Sequence, residues 1–262
     1  AMKYWILEAN VDGYRCDYAD GVPYDFWLQA LDTLTSIPNR KLILLAEGSR
    51  RNHYNAGFQM TYAWDFYNST KSIYIGESAS KLYLTHMGEY NAMPMGKHKL
   101  RYTTNHDESA WDDTPMSLFN GKKGATTASV LSIFMGGVPL IYTGQEVGRL
   151  DKVPFFSNDP INWEENPDML DEYKILLNHY SQSKIAKRGS ITDYSNADVV
   201  CFKKSIDGKE MLVVANTADK QLNFILPPDL RNTIWVDKLN GEEVSLGIVM
   251  TLTNYEYLIL EH

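Results

Sequence analysis

Cysteine is scarce in this sequence: Cys16 and Cys201 are the only two, and they lie far apart. That excludes a disulfide framework and any cysteine-based metal spacing, so both read as free thiols. No stretch of roughly 18 or more apolar residues occurs, which excludes a transmembrane helix. The opening AMKYWILEANVDGYR lacks the basic region, apolar core and small-residue cleavage site of a signal peptide. Ala1 ahead of Met2 reads as an added residue, so the missing leader leaves cytoplasm, periplasm and cell exterior equally open. Cations are also short, with 25 Lys and Arg against 33 Asp and Glu, a formal charge of -8 and no basic run. A nucleic acid is therefore excluded as the main partner, because phosphate binding needs a cationic surface.

What the chain does contain is a globular composition: 44% hydrophobic and 22% charged residues, with 17 Tyr and 6 Trp. Its 262 residues can hold one large domain, or a medium one and a small one. Up to about residue 188, short apolar runs alternate with amphipathic segments, the pattern of βα units. VDGYRC (Val11–Cys16) and LILLAE (Leu42–Glu47) read as strands, and FQMTYAWDF (Phe58–Phe66) as a weaker one. LRYTTNHDES (Leu100–Ser109) reads as a strand running into polar residues, and VPLIYTGQE (Val138–Glu146) as a fifth. Between the first two, Trp27, Ala30, Leu31 and Leu34 fall at helical spacing, with Pro23 as start and Pro38 as stop. Met169, Tyr173, Leu176, Leu177 and Tyr180 form another apolar helical face. From residue 189 to 262 the signals change to strand and hairpin, and the dipeptides Asp207-Gly208 and Asn240-Gly241 suit tight turns. The predicted organisation is residues 1–188 as an incomplete (β/α)8 barrel and 189–262 as an all-β domain.

Three of these strands end in acids: Asp17 after GYRC, Glu47 after LILLA and Asp107 after TTNH. In a parallel β/α barrel the carboxy-terminal strand ends converge on one face, which would gather the three carboxylates in one cleft. Two carboxylates about 5 Å apart at an effective dielectric near 20 repel by roughly 3 kcal/mol, or about two pKa units, so one stays protonated near neutral pH. That is the division of labour a glycosidic bond requires, an ionised nucleophile facing a protonated acid. Arg15, two residues before Asp17, points to the same side of the strand and would keep Asp17 ionised, since a nearby cation lowers a carboxylate pKa by about 1–3 units. Glu47 follows only apolar residues and is the better candidate for a raised pKa.

At these residues the sequence resembles the α-amylase superfamily (glycoside hydrolase family 13), retaining α-glucosidic enzymes built on a (β/α)8 barrel. DGYRCD is like the family's strand four, LLAEGS its acid-bearing strand five, TTNHDES its Asn-His-Asp strand seven, and GVPLIYTGQE its strand eight. The separations of 30 residues from Asp17 to Glu47 and 60 from Glu47 to Asp107 are ordinary for the family. The resemblance implies Asp17 as nucleophile, Glu47 as general acid/base, and Asp107 as a third carboxylate gripping sugar hydroxyls. It implies that Asn105 and His106 help hold the same sugar and that Arg15 orients Asp17, and Trp111, just beyond, is a subsite candidate. The implied substrates are α-1,4-glucans such as starch and malto-oligosaccharides, with an α-glucanotransferase, another α-glucosyl enzyme or a non-catalytic sugar-binding remnant as alternatives. The implied reaction needs no organic cofactor; calcium is an option for the intact protein, and no residue of this chain is assigned to a metal.

Two departures from the family pattern stand out. Asp20 and Gly21 occupy the positions where many members carry Lys-His, which removes support for a calcium ion bound through that His. Nothing ahead of residue 11 matches strands one to three, so the predicted fold is a partial barrel of about strands four to eight followed by a small antiparallel β-sandwich. Open barrel edges leave unpaired backbone groups, and a homodimer covering them is the expected remedy. Simpler readings stand beside these: Arg15-x-Asp17 as a structural ion pair, Asn105-His106-Asp107 as a helix cap, and Trp64, Trp111 and Trp163 as packing.

Overall fold

A computed structural model of the chain describes residues 1–91 and 93–262. It comprises two compact units, one of Ala1–Trp64 with Gly88–Leu100 and one of Asp65–Met87 with Arg101–His262. The first part of the chain runs α1 (Met2–Glu8), β1 (Gly13–Cys16), α2 (Tyr24–Thr35), β2 (Ile43–Ala46), α3 (Asn52–Ala56) and β3 (Met60–Tyr62). Then come α4 (Trp64–Tyr74), α5 (Lys81–Tyr90), β4 (His98–Arg101), α6 (Glu108–Trp111), α7 (Pro115–Leu118), α8 (Lys122–Phe134) and β5 (Val138–Pro139). The remainder is α9 (Pro167–Gln182), α10 (Lys184–Arg188), β6 (Ser190–Asp193), β7 (Val199–Ile206), β8 (Lys209–Asn216) and β9 (Leu222–Ile225), then β10 (Thr233–Asp237), β11 (Glu243–Leu246), β12 (Val249–Leu252) and β13 (Tyr257–Glu261).

Strands β1 to β5 neighbour one another in chain order. The pairing in the first unit is parallel, with Cys16 opposite Ala46, Ala46 opposite Thr61, and Met60 opposite His98. This register brings the carboxy-terminal ends of β1 and β2 level. Pro23 precedes α2, and Trp27, Leu31 and Leu34 are buried on its inner face, each contributing about 1.5–3 kcal/mol of burial. They pack with Ile6, Cys16, Leu44, Ala46 and Phe58 into one core, and the Trp27 indole donates to the Ala19 carbonyl at 3.0 Å.

In the second unit the Arg101 carbonyl accepts from the Leu140 N–H at 2.7 Å, beside β5. Its guanidinium is fully buried, donates to the Gly136 carbonyl at 2.9 Å and lies 3.9 Å from the Phe66 ring centroid. The antiparallel strands form a six-stranded sheet, β11-β10-β13-β8-β7-β6, and a separate pair, β12-β9. Val199, Cys201, Leu212, Val214, Phe224, Trp235, Leu252 and Leu260 from the two sheets share one core, which makes this a sandwich. Buried Lys204 donates to the carbonyls of Phe134 and Ala186, the carboxy-terminal regions of α8 and α10. The architecture is a partial (β/α)8 barrel followed by an antiparallel β-sandwich.

Asp207 and Gly208 both have positive φ, 52° and 76°, and join β7 to β8 in a two-residue turn. Asn240-Gly241 differs from the tight turn expected of it: the connection spans residues 238–242 and only Gly241 has positive φ, at 79°. Several strands are shorter than their sequence patterns predict. VDGYRC pairs only from Gly13, and LRYTTNHDES overlaps β4 only at Leu100 and Arg101, with Glu108 already starting α6. FQMTYAWDF pairs only over Met60–Tyr62, and Trp64 already starts α4. VPLIYTGQE pairs only over Val138–Pro139, because the Tyr142 N–H is taken by the Gln145 side chain at 3.2 Å and Gly144 turns the chain at φ 85°.

Candidate active site

In the first unit, Asp17 and Glu47 are the first residues beyond β1 and β2, and the parallel register brings them to the same end. Arg15 joins them: its Nη1 lies 2.5 Å from Asp17 Oδ1, its Nη2 lies 3.0 Å from Glu47 Oε2, and its Nε donates to the Tyr62 hydroxyl at 3.1 Å. Burial opposes the guanidinium charge, but the bonds to Tyr62 and Asp17 outweigh it and hold Arg15 protonated beyond its ordinary range. The planar fork of arginine suits this double grip. The Asp17 side chain is 80% exposed and open to an incoming electrophile, whereas that of Glu47 is 16% exposed. Glu47 follows apolar residues in sequence but meets polar groups in space, because a strand's sequence neighbours are not its spatial ones. Arg15 and the Tyr18 N–H, which donates to Oε2 at 2.6 Å, both touch its carboxylate.

The turn after Asp17 is unusual. Tyr18 has left-handed backbone angles, φ 43° and ψ 45°, and its ring lies over Gly21, where a Cβ would sit 2.0 Å from Tyr18 Cε1. The Ala19 N–H then bonds the Glu47 carbonyl at 2.8 Å, and the Glu47 N–H bonds the Cys16 carbonyl at 3.0 Å. Burial pushes the neighbouring Cys16 thiol up to about 11, which removes it as a nucleophile near neutral pH.

The second unit carries the other site residues. Beyond β4, Asn105 is buried and its Oδ1 accepts from the N–H groups of Asp107 and Glu108, each at 2.9 Å. Asn105 thus closes the turn that leads into α6, whose N-cap is Asp107, and its Nδ2 has no hydrogen-bond partner among the described residues. His106 Nε2 lies 3.3 Å from Asp107 Oδ2, and both side chains are partly exposed. Trp111 is 73% exposed, with its ring centroid 5.4 Å from that of Phe155, which also meets His106 edge-on at 6.3 Å. Arg149 secures this segment through the Asp151 carbonyl at 2.8 Å and the Asp159 carboxylate. Burial, with the Asp107 charge, pushes the Tyr142 hydroxyl upward.

The structure therefore groups Arg15, Asp17 and Glu47 in one unit and Asn105, His106, Asp107 and Trp111 in the other. Sequence reasoning missed Tyr62, the Tyr18 N–H and Phe155. Only Phe155 left a signal, as half of an apolar pair in a polar stretch. Three other histidines meet partners that lie far from them in sequence: His53 Nε2 lies 2.6 Å from Asp20 Oδ1, His86 Nδ1 3.1 Å from Arg101 Nη2, and His179 Nε2 3.2 Å from Glu261 Oε1. Among the described residues, no group of three His, Cys, Asp or Glu side chains is placed to hold a metal ion, and no helix is long and apolar enough to cross a membrane.

No protein-family model matches the chain. It is 25% identical to neopullulanase 2 of Thermoactinomyces vulgaris, a match covering 98% of this chain and 46% of the relative. It is 24% identical to a cyclomaltodextrinase of Thermoanaerobacter pseudethanolicus, over 92% of this chain and 42% of the relative. The chain thus spans somewhat less than half the length of these relatives. Among solved structures, a noncanonic maltogenic α-amylase from Thermotoga neapolitana superposes with a TM-score of 0.83 at 25% identity, covering 99% of this chain and 63% of the other. The α-amylase of Geobacillus thermoleovorans, complexed with acarbose, superposes with a TM-score of 0.78 at 18% identity, over 99% and 62%. In the order of its acid-bearing motifs and in its partial barrel with a sandwich, the chain is similar to these enzymes of the α-amylase superfamily.

Proposed function

We propose that the chain carries the nucleophile and the acid/base of a retaining hydrolase acting on α-1,4-linked glucose oligomers and polymers. The observation that carries this reading is the grip of one guanidinium, Arg15, on two strand-end carboxylates. Two carboxyl groups bound by neighbouring nitrogens of one planar group support the close spacing of retaining enzymes, about 5–5.5 Å, over the wider gap of about 6.5–9.5 Å that an inverting pair leaves for water.

In the first step an Asp17 oxygen attacks the anomeric carbon while the bond to the leaving oxygen breaks, and Glu47 gives that oxygen its proton. In the second, Glu47 takes a proton from water as the water oxygen displaces Asp17 from the same carbon. Arg15 aims Asp17 throughout, and the open position of Asp17 suits an attack on a bound sugar. Asp107 and His106 act on sugar hydroxyls by the motif they share with the family. Trp111 and Phe155 offer ring faces of the kind that pack on glucose. The acarbose bound by the Geobacillus enzyme and the names of the two curated relatives support α-glucans as the substrate class.

Incubation with soluble starch and an aryl malto-oligosaccharide tests the reading. Hydrolysis above a Glu47→Gln control supports it, and turnover equal to that control refutes it for this chain. Products formed with and without an acceptor sugar separate hydrolysis from glucanotransfer, which uses the same carboxylates. Residues 1–188 form the barrel portion and 189–262 the all-β domain in this reading. A homodimer at the β1 edge accompanies it, supported by the exposed Trp5, Leu7 and Ile43 of the first unit, and a monomer mass by light scattering would refute it.

A further inference from the structure

We propose that Asp20 is a positioning residue: its carboxylate latches the turn after β1 to the turn after β2 and thereby aims the Tyr18 N–H at Glu47. The inference rests on the role proposed for Glu47 and adds a residue for which the acid-bearing motifs assign no task.

The latch has several bonds. Asp20 Oδ1 lies 2.6 Å from His53 Nε2 and accepts from the Arg50 N–H at 3.4 Å, and Oδ2 accepts from the Ser49 N–H at 3.1 Å. The Arg50 Nε stands 3.9 Å from Oδ1, so His53 and Arg50 are the titratable groups that face this carboxylate. Every partner belongs to the segment that follows Glu47, residues 49–53. Burial pushes the Asp20 carboxyl up, but the bonds from His53, Ser49 and Arg50 outweigh it and hold the group below the usual carboxylate range. An ionised carboxylate only accepts, so His53 Nε2 carries the proton.

His53 is a fixed anchor. Its side chain is 3% exposed and meets Phe58 edge-on, with ring centroids 5.5 Å apart. Gly48 makes the meeting possible, since a Cβ there would lie 2.6 Å from Asp20 Oδ1 and 2.7 Å from His53 Nε2.

The latch is needed because of what lies between Asp17 and Asp20. A left-handed backbone at a residue with a side chain costs about 1–2 kcal/mol, so Tyr18 keeps that conformation only if its surroundings impose it. The conformation delivers the Tyr18 N–H to Glu47 Oε2 at 2.6 Å. With the Asp20 carboxylate gone, the backbone bonds from Ala19 N–H to the Glu47 carbonyl and from Glu47 N–H to the Cys16 carbonyl still join the strand ends, but neither reaches the turn beyond Ala19. The turn can then relax, and Glu47 loses its backbone donor.

The test uses the whole chain, 15N-labelled, with two readouts: the amide proton shift of Tyr18, and kcat and KM on an aryl malto-oligosaccharide. In Asp20→Ala the Tyr18 amide should move upfield and cease to respond to a Glu47→Gln change. The kcat should fall on the order of 10²-fold with KM unchanged. Asp20→Asn, which keeps one acceptor oxygen, should recover part of both. If Asp20→Ala does not fold, His53→Gln is read instead, since it leaves Asp20 in place and removes its shortest bond; the same upfield shift is expected. A wild-type Tyr18 shift in the folded variant, or a rise in KM with kcat intact, overturns the latch. If the unaltered chain shows no turnover above Glu47→Gln, the hydrolase reading falls, and the Tyr18 shift alone decides the latch.

Discussion

At the end of β1, Asp17 is held by charge: the Arg15 guanidinium touches it, touches Glu47 as well, and is itself tied to Tyr62. In the loop beyond β4, Asp107 is held by a turn, with its N–H bonded to Asn105, and beside it stand Trp111 and Phe155 with a largely exposed indole. The first arrangement fixes the direction of charged groups and offers little ring surface. The second offers ring surface and spends its buried Asn on the backbone of its own loop. On the function proposed above, the first motif serves bond making and breaking and the second the grasp of a sugar. Substitutions should separate these duties into kcat effects on the first unit and KM effects on the second.

The largest break should come from the carboxylates of the first unit. Glu47→Gln should lower kcat by about 10²–10⁴-fold, the usual worth of a general acid/base, and Asp17→Asn should leave turnover near that control; both are read from aryl malto-oligosaccharide hydrolysis. Arg15→Lys sharpens the comparison, because a point charge cannot grip two carboxylates as a planar fork does. Its kcat should fall on the order of 10²-fold with KM little changed. On the other side, Phe155→Ala and Trp111→Ala should each raise KM while sparing kcat. A loss of about 0.5–1.5 kcal/mol of aromatic contact corresponds to roughly twofold to tenfold, measurable by maltotriose titration.

The smallest effect concerns stability and lies away from both sites. Burial first, then the Arg101 and Lys204 charges, push the His86 imidazole down to about 3. The folded state therefore binds fewer protons than the unfolded state between about pH 3 and 6.5, and stability falls as pH falls through that window. From pH 8 to pH 5.5 the loss from His86 is about 1.4 kcal/mol. Urea melts at the two pH values should show it, and His86→Gln should remove it.

The parts legible in the sequence were those governed by near neighbours along the chain. The spacing of Trp27, Leu31 and Leu34 marks α2, Asp207-Gly208 marks its hairpin, and GYRC and LILLA mark the two strands that Asp17 and Glu47 directly follow. What stayed hidden depended on distant partners. Nothing in the spacing joins His53 to Asp20, which are 33 residues apart, because the link is made by two strands lying level. The strand at VPLIYTGQE was overextended because the demand of the Gln145 side chain for the Tyr142 N–H competes with strand pairing. The polar contacts of Glu47 are hidden for a similar reason, since Arg15 comes from β1 and the Tyr18 N–H from the turn after it.

Tyr18 also bears on how this chain could be improved. A left-handed residue that is not glycine is a place where thermal robustness and rate pull in opposite directions. Replacing Tyr18 by glycine would ease the backbone and also free it to point its N–H elsewhere, so a selection for heat resistance alone would favour a slower catalyst at this position. A library screened for both properties should keep a side chain at residue 18 and find its stabilising changes in the sandwich.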